Sequence, residues 1–144
     1  TNSWLNLATR LPLDLRISTS PETMPPAHLV DQVRDAGLSQ LNIYHEAAEA
    51  VRDAEVLYTD VWASMGEKEK LKEREQMLFG FQINQKLLEL TNPNSLVMHC
   101  LPANRDREIT AEVMDGSRSI VYDQAENRLH AQKAILAQLE RWRN

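Results

Sequence analysis

The sequence predicts an α/β fold: an open, mainly parallel sheet with helices on both faces. Short apolar or β-branched runs alternate along the chain with longer segments of helical periodicity. This alternation is typical of β-α-β units, in which a helix carries the chain back to begin the next parallel strand. The length of 144 residues suits a single domain, which we expect to span residues 1–144.

The first half of the chain is predicted to hold three strands separated by helices. The Pro25-Pro26 pair precedes one of these helices and Gly37 follows it, the positions that proline and glycine favour at helix ends. In order, we expect a helix over Ser3–Leu11, a strand at Asp14–Ser18, a helix over Ala27–Ala36, a strand at Leu41–His45, a short helix over Glu46–Ala54 and a strand at Glu55–Asp60.

The second half continues the alternation. Residues 67–91 predict a highly charged helix and then a second helix, with Gly80 between them and Leu87, Leu88 and Leu90 turned to the core. The elements that follow are a strand at Ser95–Cys100, a short helix at Ala111–Asp115, a strand at Ser119–Asp123 and a last helix from Ala125 to Arg141. The whole order predicts a Rossmann-like three-layer sandwich.

Composition excludes several classes of protein. Sixteen basic and 21 acidic side chains give a net charge of −5, and the basic residues are scattered, so we expect no nucleic-acid partner. No apolar run is long enough to span a membrane. A single cysteine cannot form an internal disulfide, which predicts a cytoplasmic protein. The first residues already have the pattern of an amphipathic helix, so we expect a piece of a longer protein.

Neither a nucleotide cofactor nor a metal is predicted. The four glycines, at positions 37, 66, 80 and 116, form no dinucleotide-binding or phosphate-binding loop. His99 and Cys100 are adjacent, which suits a tetrahedral metal site poorly.

Polar residues that follow the predicted strands are the first candidates for a site, because ligands of open parallel sheets bind beyond the carboxyl ends of the strands. Asp60 ends one strand, and Ser64 and Met65 come one helical turn later. The carboxylate can hold an ammonium group, and free N–H groups before a helix can hold a carboxylate. These residues predict a site for an amino-acid zwitterion, although capping of the next helix by Asp60 or Ser64 explains them equally well.

The stretch His99-Cys100-Leu101-Pro102 follows another strand. The thiol of Cys100 can serve as a nucleophile or proton acceptor where neighbouring cations lower its pKa, and packing as a small apolar residue is the alternative. His99 is a proton carrier or, more often at such a place, a structural histidine. Pro102 ends the strand and biases Leu101 towards an extended conformation that leaves its carbonyl free to accept a hydrogen bond.

Arg128 lies near the start of the last predicted helix, just past a strand end. From there its guanidinium can reach a carbonyl or phosphate oxygen in the same crevice. A surface salt bridge is the alternative.

Three motifs in this order resemble the ornithine carbamoyltransferases: YTDVWASMG (58–66), HCLPA (99–103) and AENRLHAQKAIL (125–136). The resemblance covers nearly the whole chain. It implies the C-terminal, ornithine-binding domain of an enzyme that transfers the carbamoyl group of carbamoyl phosphate to the side-chain amine of ornithine, giving citrulline and phosphate in arginine metabolism.

The resemblance also implies roles for single residues. Asp60 and Ser64 would meet the α-amino group of ornithine, and the Met65 N–H its carboxylate. Cys100 would lie beside the reacting groups. The Leu101 carbonyl would hold the carbamoyl nitrogen and Arg128 the carbamoyl oxygen, and His99 is a possible neighbour. No cofactor or metal is required.

The chain departs from the family because the carbamoyl-phosphate domain is absent, and of the motif with paired asparagines only Asn2-Ser3-Trp4 remains. We therefore expect no activity from the chain alone. Relatives often carry PAHRG where this chain has PANRD, which leaves the role of Asn104 open. The family further implies a trimer whose main contacts involve the absent domain. Two alternatives stay open: a non-catalytic amino-acid-binding module, and a sister carbamoyltransferase for another amine or an acylated ornithine.

Overall fold

The computed structural model describes residues 1–63 and 71–143. Its strands form two parallel pairs. Strand β1 (Asp14–Ser18) pairs with β2 (Gln40–Tyr44), and β3 (Val56–Thr59) pairs with β4 (Leu96–His99). The α/β class with parallel strands is therefore confirmed, and each of these four predicted strands is correct to within one residue at each end.

Helices connect the strands. Helix α1 (Asn2–Ala8) precedes β1, α2 (Ala27–Ala36) joins β1 to β2, and α3 (Ala47–Ala50) joins β2 to β3. The bounds of α2 agree with the prediction because Gly37 closes the helix in the left-handed conformation, at φ 60°, and donates its N–H to the Arg34 carbonyl.

The segment between β3 and β4 holds α4 (Leu71–Leu78), a 3-10 turn (Phe79–Phe81) and α5 (Gln85–Leu88). Gly80 lies in the 3-10 turn and so separates the two helices as predicted. The side chain of Asn84 begins α5 by accepting the Leu87 N–H at 3.0 Å. After β4 come α6 (Ala111–Met114) and the long α7 (Val121–Arg143).

The predicted strand Ser119–Asp123 is wrong. A single bridge joins Ser119 to Val97 of β4, and the chain then turns at once into α7 at Val121, four residues before the predicted start at Ala125. Val121 is fully buried as the first residue of a helix. A short apolar run of this kind has no periodicity that distinguishes a strand from the first turn of a helix.

Apolar side chains form two buried clusters. The larger cluster packs on β3 and β4 and consists of Leu57, Ile83, Leu88, Val97, Ile109, Val113, Met114 and Val121. The smaller cluster packs between α1, α2 and the first strand pair and includes Leu5, Ala8 and Val33. Of the leucines that the sequence predicts as core, Leu88 is buried and Leu87 packs at the edge of the larger cluster, but Leu90 is 47% exposed.

Among residues 1–63 and 71–143, the structure contains no helix whose length and apolar character would allow it to cross a bilayer.

Candidate functional site

Asp60 and Cys100 directly follow β3 and β4 and so lie at the same edge of the sheet. Strands β3 and β4 run parallel with Thr59 opposite His99, so the residues that follow the two strands are neighbours. The Val61 N–H donates to Asp60 Oδ1 at 2.7 Å, which fixes the carboxylate over the turn that leaves β3. The sequence prediction that these strand ends meet is thus correct in the structure.

The Cys100 thiol interacts with two side chains of the neighbouring strand end. Loss of water around the sulfur raises the pKa of Cys100, and its hydrogen bond to the Asp60 carboxylate raises it further. Tyr58, whose hydroxyl also bonds the thiol, acts in the opposite direction on the pKa of Cys100. A thiol with a raised pKa keeps its proton at neutral pH, so this environment favours the thiol of Cys100 over the thiolate.

Tyr58 completes this group. The pKa of its phenol is raised to about 12, mainly by burial and secondly by the contact with Cys100. The ring of Trp4 packs edge-on against Tyr58 with their centroids 5.2 Å apart. The aromatic contact brings α1 against the strand end from which the Asp60 loop departs.

Arg128 shares a cavity with Cys100. The cavity has a volume of about 510 Å³ and opens to solvent between the end of β4 and one side of α7. It is lined by Cys100, Gln124, Ala125, Asn127, Arg128, Ala131 and Gln132. Because α7 begins at Val121, Arg128 lies about two turns into the helix rather than in its first turn. An acid, a thiol and a guanidinium therefore occur at one edge of the sheet.

His99 does not line this cavity. Its side chain is fully buried, and its Nδ1 accepts the Leu101 N–H at 2.8 Å while its Nε2 lies 3.2 Å from Oε1 of the buried Glu108. Of the two alternatives for His99, the structure supports the structural histidine. Leu101 has a φ of 56° and precedes a cis bond to Pro102, so it is not extended as the sequence predicts.

Two residues of the site escaped the sequence analysis. Gln124 accepts the His99 backbone N–H at 3.0 Å, so its amide ties α7 to the end of β4, and it also acts to lower the pKa of Tyr58. Glu108 lies eight residues beyond Cys100, in a loop that no periodicity marks. The signal for Gln124 was its position directly after the predicted strand Ser119–Asp123, where polar residues are the first candidates for a site.

Ser64 and Met65 lie outside the described residues. In the two described ranges, no three histidine, cysteine or acidic side chains come close enough together to hold a metal ion.

The fold and this edge define an α/β domain with a cavity beyond the carboxyl ends of its parallel strands, the place where such domains bind small molecules. The family described as "Aspartate/ornithine carbamoyltransferase, Asp/Orn binding domain" matches residues 1–139. The chain belongs to this family.

Known relatives agree with this assignment. The ornithine carbamoyltransferase of Methanoculleus marisnigri is 50% identical over 138 residues, which are 96% of this chain and 44% of that protein. The solved ornithine carbamoyltransferase from Pyrococcus furiosus superposes with a TM-score of 0.84 at 40% identity, over 94% of this chain and 44% of that one. A solved N-acetyl-L-ornithine transcarbamylase superposes with a TM-score of 0.81 at 32% identity, over 96% and 43%. The chain thus spans less than half the length of these relatives.

Proposed function

We propose that this chain, residues 1–144, is the ornithine-binding domain of an ornithine carbamoyltransferase. The complete enzyme would transfer the carbamoyl group of carbamoyl phosphate to the side-chain amine of L-ornithine, giving L-citrulline and phosphate. The observation that carries the proposal is the convergence of Asp60, Cys100 and Arg128 at one sheet edge, in a chain whose relatives bear this name. The family match alone would allow aspartate as the amine.

Each residue of the site has a role in this proposal. Asp60, with Ser64, meets the α-amino group of ornithine, and the Met65 N–H meets its carboxylate. The Leu101 carbonyl holds the carbamoyl nitrogen. Arg128 holds the carbamoyl oxygen and stabilises the negative charge that develops there during attack. Cys100 lies beside the reacting amine.

The chemistry requires the neutral form of an amine that is an ammonium ion in water. The amine nitrogen attacks the carbamoyl carbon, the carbon–oxygen bond to phosphate breaks, and phosphate leaves with that electron pair. The proton that the amine loses must be received by a neighbouring group, for which Asp60 and Cys100 are the candidates. The Asp60 carboxylate and desolvation both raise the pKa of the Cys100 thiol, which keeps the thiol protonated, so the carboxylate is the stronger candidate as first acceptor. No metal or cofactor enters this scheme.

The proposal includes a partner domain that binds carbamoyl phosphate. Within α7, all of which the structure describes, Val121 is the buried residue, and large apolar side chains further along are exposed: Tyr122, Leu129, Ile135, Leu136, Leu139 and Trp142. At helical spacing, Ile135, Leu139 and Trp142 lie on the same side of α7 as Arg128 and the cavity. A domain that covers this apolar side would also close the cavity over the substrates.

The proposal extends to the location, the metabolic role and the oligomeric state of the complete enzyme. A cytoplasmic location is supported by the single cysteine, which is unpaired and exposed. A role in arginine metabolism follows from the proposed product, citrulline. A trimer of the complete enzyme follows from the family resemblance, and light scattering of the complete protein measures it directly.

Binding of an unreactive analogue tests the ornithine site. L-norvaline has the α-amino and α-carboxyl groups of ornithine but lacks the reacting amine. Calorimetric titration of norvaline should give no heat with the chain alone. It should give saturable heat once the chain is mixed with carbamoyl phosphate and the non-matching part of the Methanoculleus marisnigri relative. Tight binding to the chain alone would favour an amino-acid sensor instead.

Complementation tests the activity. The chain alone should form no citrulline, whereas the chain mixed with that same partner part should form it from ornithine and carbamoyl phosphate. In the mixture, Arg128→Ala should lower kcat by about 100-fold to 1000-fold, the usual loss when one donor to a developing charge is removed. Arg143→Ala, on the same helix but paired with Glu140, is the matched control and should leave the rate unchanged. Equal losses of kcat in the two variants would show that Arg128 has no specific role in the site.

The sister transferase remains the second candidate because an N-acetyl-L-ornithine transcarbamylase superposes over nearly the whole chain. The complemented enzyme should therefore be offered ornithine and N-acetyl-L-ornithine side by side. A larger kcat/KM for the acetylated substrate would replace ornithine as the proposed substrate while leaving the reaction type unchanged.

A further inference from the structure

A buried carboxylate–imidazole pair lies behind the Cys100 loop. Glu108 is 1% exposed and His99 is fully buried, and the two side chains meet at 3.2 Å. Burial of a carboxylate is costly unless hydrogen bonds and an electrostatic partner compensate it. Neither side chain lines the cavity that holds Cys100 and Arg128, so neither would touch a substrate there.

The hydrogen bonds define the protonation of His99. The Leu101 N–H can only donate, so His99 Nδ1, which receives it at 2.8 Å, must carry a lone pair. The Asn104 N–H donates to Glu108 Oε1 at 2.5 Å, so this oxygen is an acceptor. The same oxygen faces His99 Nε2, and the proton of the imidazole must therefore be on Nε2. Glu108 thereby selects the one tautomer that can accept the Leu101 N–H.

The same bonds hold a strained turn. Leu101 has a φ of 56°, in the left-handed region that a leucine seldom occupies. Its N–H bond to His99 Nδ1 is the contact that fixes this residue immediately after Cys100. Asn104, three residues further on, is anchored by Glu108. The loop from Cys100 to Asn104 is thus held at two points by one buried pair.

We propose that Glu108 is a positioning residue that acts through His99: it keeps the imidazole proton on Nε2 and so holds the Cys100–Leu101 turn in its left-handed conformation. The geometric part of this proposal does not depend on which ligand the domain binds. Its catalytic meaning rests on the proposed function, in which the Leu101 carbonyl and the Cys100 thiol meet the carbamoyl group and the amine.

The test uses the 144-residue chain without substrates, so its result does not depend on the proposed function. Nitrogen NMR of the imidazole should show a protonated Nε2 and an unprotonated Nδ1 for His99 in the wild type. Glu108→Ala should abolish this single tautomer and speed hydrogen exchange of the Leu101 amide by about tenfold or more, since its acceptor is lost. Glu108→Gln keeps a carbonyl oxygen as acceptor and should retain both signatures.

Thr91→Val is the control for a general loss of stability. Thr91 and Ser95 form a buried hydroxyl pair at 2.7 Å at the opposite end of β4, so this variant should leave the His99 tautomer and the Leu101 exchange unchanged. A wild-type proton on Nδ1 would overturn the proposal. So would a folded Glu108→Ala chain that keeps the tautomer and the protected Leu101 amide. If Glu108→Ala does not fold, the test rests on the tautomer of His99 in the wild type and in Glu108→Gln. Loss of the tautomer in Glu108→Gln would count against the proposal.

Discussion

Two neighbouring leucines provide a measurable test of how the core of this domain is built. Leu88 and Leu90 lie two positions apart, and the sequence pattern assigns both to the core. Leu88 is 4% exposed within the larger apolar cluster, whereas Leu90 is 47% exposed. Truncation of each to alanine removes the same atoms, so a difference between the two variants reports burial alone.

The magnitudes follow from that difference. Leu88→Ala removes a fully buried side chain and leaves a cavity, which costs about 2–5 kcal/mol of the free energy of unfolding. A domain of 144 residues has a stability of about 7–22 kcal/mol at 0.05–0.15 kcal/mol per residue, so the variant should still fold. Leu90→Ala removes a side chain that is half in water and leaves no enclosed cavity, so its cost should remain below about 1 kcal/mol.

Urea unfolding followed by circular dichroism measures both variants. With a dependence on urea of about 2 kcal/mol per molar, the midpoint for Leu88→Ala should fall by about 1–2.5 M and that for Leu90→Ala by less than about 0.5 M. Equal shifts, or a larger shift for Leu90, would refute the placement of α5 against β3 and β4.

The remaining predictions concern the thiol and a helix end. Because desolvation and the Asp60 carboxylate raise the pKa of Cys100, its alkylation should accelerate at a higher pH than that of a cysteine in a short unstructured peptide, and Asp60→Asn should move this midpoint to lower pH. An unchanged midpoint in Asp60→Asn would show that the carboxylate does not act on the thiol. Gly37→Ala should cost about 1 kcal/mol in urea unfolding because Gly37 has a φ of 60°. Gly80→Ala, where a side chain meets no atom within 4 Å, should change stability by less than about 0.5 kcal/mol. Similar costs for the two glycine variants would contradict the left-handed helix end.

The sequence was most informative where a strand ends. Asp60 and Cys100 follow runs of apolar residues, and parallel strands deliver their carboxyl ends to one edge whatever the details of packing. Their proximity could therefore be predicted from two short stretches of sequence about 40 residues apart. The boundaries of α2 were predictable for a different reason, since Pro25-Pro26 and Gly37 act locally on the backbone.

The sequence was least informative where tertiary packing decides. Ser119 forms one bridge to Val97 and the chain then becomes helical, because the Gln124 N–H bonds the Ile120 carbonyl at 2.8 Å and starts α7. Leu90 has the composition of a core residue but lies beyond the last turn of α5, where the structure leaves it half in solvent. Period and hydrophobicity cannot separate such cases.

Glu108 is a second residue whose position could not be predicted from the sequence. Acidic residues in loops are usually exposed, and nothing local in the sequence sets this one apart. Its burial follows from a pairing with His99 and a backbone bond from Asn104, both of which exist only once the loop has folded back on the end of β4. A site that depends on such a buried pair can be found from coordinates but not from spacing.

Under the proposed function, the geometry also explains why this domain should be a poor catalyst by itself. Arg128 and Cys100 border a cavity that is open to water, and an ion pair at 4 Å is worth about 1 kcal/mol in water but about 4 kcal/mol near a protein surface of lower dielectric. In the proposed reaction, the stabilisation that Arg128 would offer to a developing oxyanion therefore depends on what excludes water from the cavity. Three exposed apolar side chains of α7, Ile135, Leu139 and Trp142, lie on the side of the helix that borders the cavity, so a surface that covers them would also exclude water from the cavity. For the proposed enzyme, docking of a carbamoyl-phosphate domain and gain of activity would then be one event.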